Sequence, residues 1–361
     1  MFGILTGLLL IFSFTPALAQ NMESQADSIM KIRNIPEMTF AVVTKDRVLA
    51  KGTRGYHKVT DVTELPNARP DDLFHLGSNT KAITGFIAAA LVEKGKINWD
   101  TRFFELFPNL VNHSNRNYHH VTLEDLLTHS AGIQPFTSGA EYQKLPDFKG
   151  NKKARRKEFA KHVLTLPVVE NNKAFSYSNA GYSVAAVMLE KVSGKSWEKL
   201  IADIVRKKLR LDFAFGWPNR NRDNQPYGHW EEKGKLVPVS PKTNYDLSLA
   251  EPAGDVSMNI ENYAKFIQMN IEGLAGRHNY LKSETYQYLH GSKSEYTIGW
   301  VNYTKNGVQI SEHAGSDGTF FSFVQIDRTK LIGYIVIVNS GTASAQEGVY
   351  AMMNILKSKF Y

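Results

Sequence analysis

The 361-residue sequence contains no cysteine. That excludes disulfides, thiol catalysis, thiolate metal sites and an acylated-cysteine lipid anchor. No stretch is rich enough in Pro, Gly or Ser to act as a linker, and no internal repeat is evident. Beyond the first residues, no apolar run approaches the roughly 20 residues that a bilayer span needs. Gly-x-Ser-x-Gly is absent, so the usual α/β-hydrolase elbow is not expected. His-Glu-x-x-His, a P-loop and a dinucleotide fingerprint are absent too. The eleven histidines therefore show no metal-binding spacing, and neither a metal nor a cofactor is expected.

What is present points to a folded, exported protein. Hydrophobic residues make up 42% and charged residues 22%, which suits a large core and not a disordered chain. The net charge is +8, but it is spread along the chain, and no nucleic-acid partner is expected. The densest basic run, "KGNKKARRKEFAKH" from Lys149 to His162, reads as a solvated helix face. The opening "MFGILTGLLLIFSFTPALAQ" reads as a secretory signal, although its first residues carry no Lys or Arg. Its apolar run, Phe2 to Phe14, is short for a span, and Ala17-Leu18-Ala19 is a small-residue cleavage pattern. Cleavage after Ala19 would leave a mature chain, 20–361, in the periplasm or outside the cell, with no stable membrane span.

Periodicity gives a coarse architecture. Phe40 to Thr44 and Val48 to Lys51 read as a hairpin turning at Lys45-Asp46. The middle is mostly helical by period, including "TLEDLLTHSAGI", "NAGYSVAAVMLEKVSG" with Gly194 as its cap, "SWEKLIADIVRKKLRL" and "IENYAKFIQMNIEG". Strands then return around Lys305-Asn306-Gly307 and around Asp327 to Lys330, before a closing helix. Strands at both ends with helices between predict an α/β fold with one catalytic domain. Its α/β part would be about 25–75 and 290–361, and a mainly helical insert about 76–289.

The chemistry concentrates in "FHLGSNTKAITGFIAAALVEKGK". Ser78 and Lys81 are three apart, so they share a helix face. From Ala82 to Val92 the helix is almost uncharged, so it is expected to be buried, and Lys81 with it. A buried lysine can lose its proton and serve as a base. Free N–H groups at a helix N-terminus can stabilise an oxyanion. The spacing alone is weak evidence, because Ser28/Lys31 and Ser196/Lys199 share it. A second element is Tyr177-Ser178-Asn179, the one Tyr-x-Asn in the chain. A tyrosine beside a cation can exchange protons, while Asn179 can bond an amide and a lysine or simply cap a helix. A third is His313-Ala314-Gly315-Ser316, on a strand before a glycine-rich turn. There glycine would let substrate lie against the strand edge. His75-Leu76-Gly77 and Lys305-Asn306-Gly307 compete for this last role.

In this order the three elements resemble the penicillin-recognising serine hydrolases. The similarity is to the branch that holds class C β-lactamases, D-alanyl-D-alanine carboxypeptidases, D-aminopeptidases and related esterases. "LLTHSAGI", "PAGDVSMNIENYAKF" and "YTIGW" also look like recurrent segments of that family. The resemblance spans about Phe40 to Ser340. It implies an antiparallel sheet flanked by helices, no cofactor, and an acyl substrate that is a small molecule or peptide, with peptidoglycan fragments among the candidates. It implies Ser78 as nucleophile, Lys81 as aid to its deprotonation, and Tyr177 as acid and base. Asn179 and His313 would orient substrate and support Tyr177 or the leaving group. The backbone N–H groups of Ser78 and Ser316, beside Gly315, would form the oxyanion pocket. Whether Lys81 or Tyr177 takes the serine proton stays open. The third box opens with His313 where a lysine would offer a fixed charge to a carboxylate. That weakens the expectation of β-lactam turnover and favours a peptidase or esterase.

Overall fold

Apolar residues alternate along the first and last strands, and this alternation places a layer on each face of one sheet. The computed structural model describes residues 16–61, 67–169, 175–243, 247–293 and 295–360. Their strands are β1 (Glu37–Thr44), β2 (Val48–Gly55), β3 (Phe74–His75), β4 (Ala214–Phe215), β5 (His229–Glu232), β6 (Lys235–Pro238), β7 (Val256–Met258), β8 (Val301–Lys305), β9 (Val308–Ser316), β10 (Phe321–Asp327) and β11 (Ile332–Val338). The longer helices are α1 (Pro16–Arg33), α2 (Thr80–Glu93), α3 (Lys152–Val163), α4 (Asn179–Ser193), α5 (Ile260–Leu274) and α6 (Ala343–Phe360).

Six strands form an antiparallel sheet in the order β2-β1-β11-β10-β9-β8. The expected α/β fold, with an antiparallel sheet drawn from both chain ends and flanked by helices, is the one observed. Successive strand residues face opposite ways. Met38, Phe40 and Val42 of β1, with Val336 and Val338 of β11, pack under α1 and α6. Ala41 and Val43, with Ile335 and Ile337, face the opposite core of α2, α4 and α5. All seven residues of β11 are buried. At about 1.5–3 kcal/mol for each large apolar side chain buried, this strand anchors both layers.

One helix has no counterpart in the sequence reading, and one expected helix changes. The first is α1, which begins within the expected signal sequence and buries Met22, Ala26, Ile29 and Met30 against the sheet and α6. Its 3.6-residue stripe has meaning only beside the closing helix. The helix expected from Trp197 is α-helical to Ile201 and then widens to a π-helix over Ala202–Lys208. Among the described residues, no helix is long and apolar enough to cross a membrane. The apolar run Phe2 to Phe14 lies outside the described residues.

Candidate active site

The site begins where β3 ends. A 3-10 turn over Gly77–Asn79 leads from His75 into α2. Gly77 has φ +51, and a Cβ there would stand 2.4 Å from the backbone nitrogen of Ser316. No other residue fits that turn without strain. Gly315 is constrained from the other side, since its Cβ would lie 2.1 Å from the Leu76 carbonyl and 2.9 Å from Ser78 N. The two missing side chains let the end of β9 lie edge-on against the serine turn. This brings the N–H groups of Ser78 and Ser316 together. The sequence reading gave Gly315 another purpose, room for substrate. The structure fills that space with the Leu76 carbonyl.

Lys81 follows on the first turn of α2 and is fully buried. Its Nζ lies 2.7 Å from Asn179 Oδ1, 3.0 Å from the Ala253 carbonyl and 3.2 Å from Ser78 Oγ. The first two are acceptors only, whereas a hydroxyl can also donate. A neutral amine satisfies all three by giving its two N–H bonds to Asn179 and Ala253 and turning its lone pair to Ser78. Burial does hold Lys81 well below the usual lysine range. The aromatic faces of Tyr177 and Tyr182 lie 4.7 and 5.4 Å from Nζ.

Tyr177 and Asn179 arrive on the entrance to α4. The N-cap is Ser178, whose Oγ accepts from Gly181 N. Capping is therefore not the task of Asn179. Its amide instead links Lys81 to the Phe136 carbonyl, to which Nδ2 donates at 3.0 Å. Burial raises the Tyr177 phenol above its ordinary value, and its hydrogen bond to Ser78 draws it part of the way back. Lys81 lies over the ring face, so the structure does not supply the cation that would ionise this phenol at rest.

His313 departs from its expected role. Its Nδ1 is 2.6 Å from the Ala314 carbonyl, an acceptor, so the proton sits on Nδ1. Its Nε2 then accepts from the Tyr296 hydroxyl at 2.9 Å. The Tyr177 ring centroid is 6.3 Å away, and the contact with Tyr177 is between rings. Burial, with Lys81 nearby, pushes His313 down to about 3. The sequence reading allowed partial charge near neutral pH, and this buried ring carries none there.

The competing motifs resolve by location. His75 is buried beneath the serine turn, 3.6 Å from both Asp255 and Asp317, and its Nδ1 accepts from Gly77 N. Asn306 and Gly307 form the tight β8–β9 turn with φ of 51° and 77°. Ser28 bonds its own helix, and Ser196 caps the helix that follows it.

Three residues near the site have no spacing signal. His129 is held between the rings of Tyr177 and Tyr296, at centroid distances of 4.4 and 4.5 Å. Tyr296 orients His313, and Ala253 supplies the carbonyl for Lys81. They come from "LLTHSAGI", "YTIGW" and "PAGDVSMN", segments noted for resemblance but not for a role. A cleft of about 460 Å³ opens beside Asn179, lined by Phe136, Tyr142, Phe148, Leu249 and Arg155 among others.

Comparison with known proteins gives the family and the fold. A family model described as Beta-lactamase matches residues 22–357. Protein flp of Staphylococcus aureus (strain MRSA252) is 23% identical over 332 residues, covering 89% of this chain and 64% of that protein. Unguisins hydrolase ungD' of Aspergillus campestris (strain IBT 28561) is 26% identical over 337 residues, covering 86% and 59%. The chain thus spans less than two thirds of the length of these relatives. Among solved structures, the octameric penicillin-binding protein homologue from Pyrococcus abyssi superposes with a TM-score of 0.74 at 23% identity, over 94% of this chain and 77% of that one. SurE does so with a TM-score of 0.73 at 19% identity, over 95% and 75%. At such identities the structural likeness is one of fold. The family match is consistent with a serine hydrolase and extends over nearly all of the sequence: the chain belongs to the beta-lactamase family.

Proposed function

We propose that this protein is a serine hydrolase that cleaves an ester or amide through a Ser78 acyl-enzyme. One observation carries the reading. Lys81 is buried with no carboxylate partner among the described residues, and its third neighbour is Ser78 Oγ at 3.2 Å. The neutral amine takes the Ser78 proton as Oγ attacks the substrate carbonyl carbon. The N–H groups of Ser78 and Ser316 hold the resulting oxyanion. When the tetrahedral adduct collapses, the Tyr177 hydroxyl gives its proton to the leaving oxygen or nitrogen. As the leaving group departs, Lys81 gives up its extra proton and Tyr177 regains one, which returns both groups to their starting forms. Water repeats the sequence on the acyl-enzyme and releases the acid. Asn179 fixes Lys81 and offers its amide to the substrate. His313 acts at one remove, by holding Tyr296 against the site.

The substrate we favour is a D-amino-acid peptide, an ester or a related acyl compound. Neutral His313 provides no fixed charge for the carboxylate of a β-lactam, which places a class C-like β-lactamase second. That one relative is named a hydrolase supports turnover over a non-catalytic penicillin-binding or sensor role. We place the protein in the periplasm or outside the cell. The first described buried residue of α1 is Met22, so cleavage after Ala19 leaves its packed residues in the mature chain.

Intact-mass spectrometry with a fluorescent penicillin, on wild type and Ser78→Ala, tests the nucleophile. Turnover of p-nitrophenyl acetate, nitrocefin and a D-alanyl peptide then sorts the substrates. An adduct or turnover confined to wild type is expected. Equal behaviour of Ser78→Ala in every assay overturns the reading, and fast nitrocefin turnover would move the protein to the β-lactamases.

A further inference from the structure

A second polar cluster lies outside the catalytic groups. Glu37 opens β1, His57 follows the end of β2, and Asp72 stands two residues before β3. The fold brings one potential ligand atom of each within 4.8 Å of the others. Exposure is 0% for Glu37, 6% for His57 and 1% for Asp72. Asp72 Oδ2 is occupied, accepting from His57 Nε2 at 2.9 Å and from the backbone N–H of Arg69. Three neighbouring oxygens are not. No donor group among the described residues reaches Glu37 Oε1, Glu37 Oε2 or Asp72 Oδ1; burial, with the charge of Asp72 and a carboxyl–carboxylate contact to it, raises Glu37 well above the usual carboxylate range.

Such oxygens are rare in folded proteins, because an unpaired buried carboxylate is strongly unfavourable. The adjacent cation does not remove the problem. Arg69 Nε is 3.7 Å from Asp72 Oδ1, outside hydrogen-bond range, on a side chain that is half exposed. Its Nη2 donates to the Asn224 carbonyl. Among the described residues no ion pair reaches Glu37.

We propose that Glu37, His57 and Asp72 form a structural site for a divalent transition-metal ion of the zinc–manganese class. Two carboxylates match the charge of such an ion, and one imidazole supplies the nitrogen that favours it over calcium or magnesium. On binding, the His57 ring stays neutral by carrying its proton on Nδ1 instead of Nε2, so that the Nε2 lone pair goes to the ion in place of the hydrogen bond to Asp72. Asp72 contributes Oδ1, and Glu37 one or both of its oxygens. No spacing motif announces the site, since its ligands come from three separate elements. Its effect is mechanical. It fastens the start of β1 and the exit of β2 to a segment that enters the serine turn six residues later.

The test uses tag-free full-length protein, grown with added Zn²⁺ or Mn²⁺ and purified without chelator. Elemental analysis by mass spectrometry should find about one ion per chain in wild type and at least about tenfold less in Glu37→Gln and His57→Asn. Chelator-stripped wild type should melt at a higher temperature as either ion is added back, while stripped Glu37→Gln should not respond. Circular dichroism of stripped Glu37→Gln separates loss of metal from loss of fold. The site is disproved if wild type holds no ion and its melting temperature ignores both metals. It is disproved equally if folded Glu37→Gln retains the same ion content. The first result, with Glu37→Gln melting no lower than wild type, would mean that Glu37 keeps a proton and shares it with Asp72.

Discussion

Lys81 and Arg156 are buried to the same depth and meet opposite surroundings. Both are fully buried. Lys81 faces two amide-type oxygens and a hydroxyl. Arg156 on α3 faces three carboxylates, Glu190 at 2.5 Å, Glu251 at 3.4 Å and Glu198. Burial alone pulls both cations toward neutrality. For Arg156, Glu251, Glu198 and Glu190 outweigh burial and hold it above its ordinary value. For Lys81 nothing opposes burial. Depth therefore does not tell a cation pushed toward neutrality from one held charged, but counter-ions do.

The sharpest way to break this comparison is Lys81→Met. Turnover should fall by at least about 10³-fold, as when one member of a nucleophile–base pair is removed. Stability should move the other way. The amine's value is lower in the folded chain than in the unfolded one, so the unfolded chain binds more protons. Stability therefore rises with pH until the unfolded value of about 10.4. Lys81→Met should melt above wild type near pH 7, and the gap should close toward pH 10, a trend that melting curves across that range will show. A variant that melts lower at pH 7 would mean that Lys81 is charged and paired after all.

Arg156→Met should do the reverse. It strands three acids and should cost about 3–5 kcal/mol of stability, read by denaturant titration, while kcat of the folded fraction changes little. Glu198→Gln sharpens the point. Glu198 is the most exposed of the three acids, and exchanging one charged bond for a neutral one should cost about 1 kcal/mol. The same titration checks it. A loss as large as that of Arg156→Met would mean that the network depends on a single pair.

These contrasts mark what a sequence can carry. Ser78 and Lys81 meet because they are one helical turn apart, and the Asn306-Gly307 turn follows from backbone preference alone. Both were legible. The apolar run after Lys81 also announced its burial. Whether a buried lysine has an acid beside it depends on residues far along the chain, and no local pattern shows that. The neutrality of His313 has the same origin, since a strand position does not reveal that Tyr296 and Lys81 close around it. His129 reaches the site with φ 61° at the end of a helical turn, where its period suggested nothing. The stripe of α1 was present in the sequence, but its partner α6 lies more than 300 residues away.

That distance bears on how the protein is made. Met38 of β1 pairs with Val338 of β11, 300 residues later. Closing a loop of that length costs about 3 kcal/mol more than closing one of ten residues. Until β11 is synthesised, the β1 edge that it pairs with has no strand partner, and an open strand edge is the kind of surface that aggregates or recruits chaperones. His313 and Ser316 lie on β9, far along the chain from Ser78, so a chain arrested before them has the serine but not the strand end that packs against its turn. Bringing Ser78 beside Ser316 therefore waits until β9 has been synthesised.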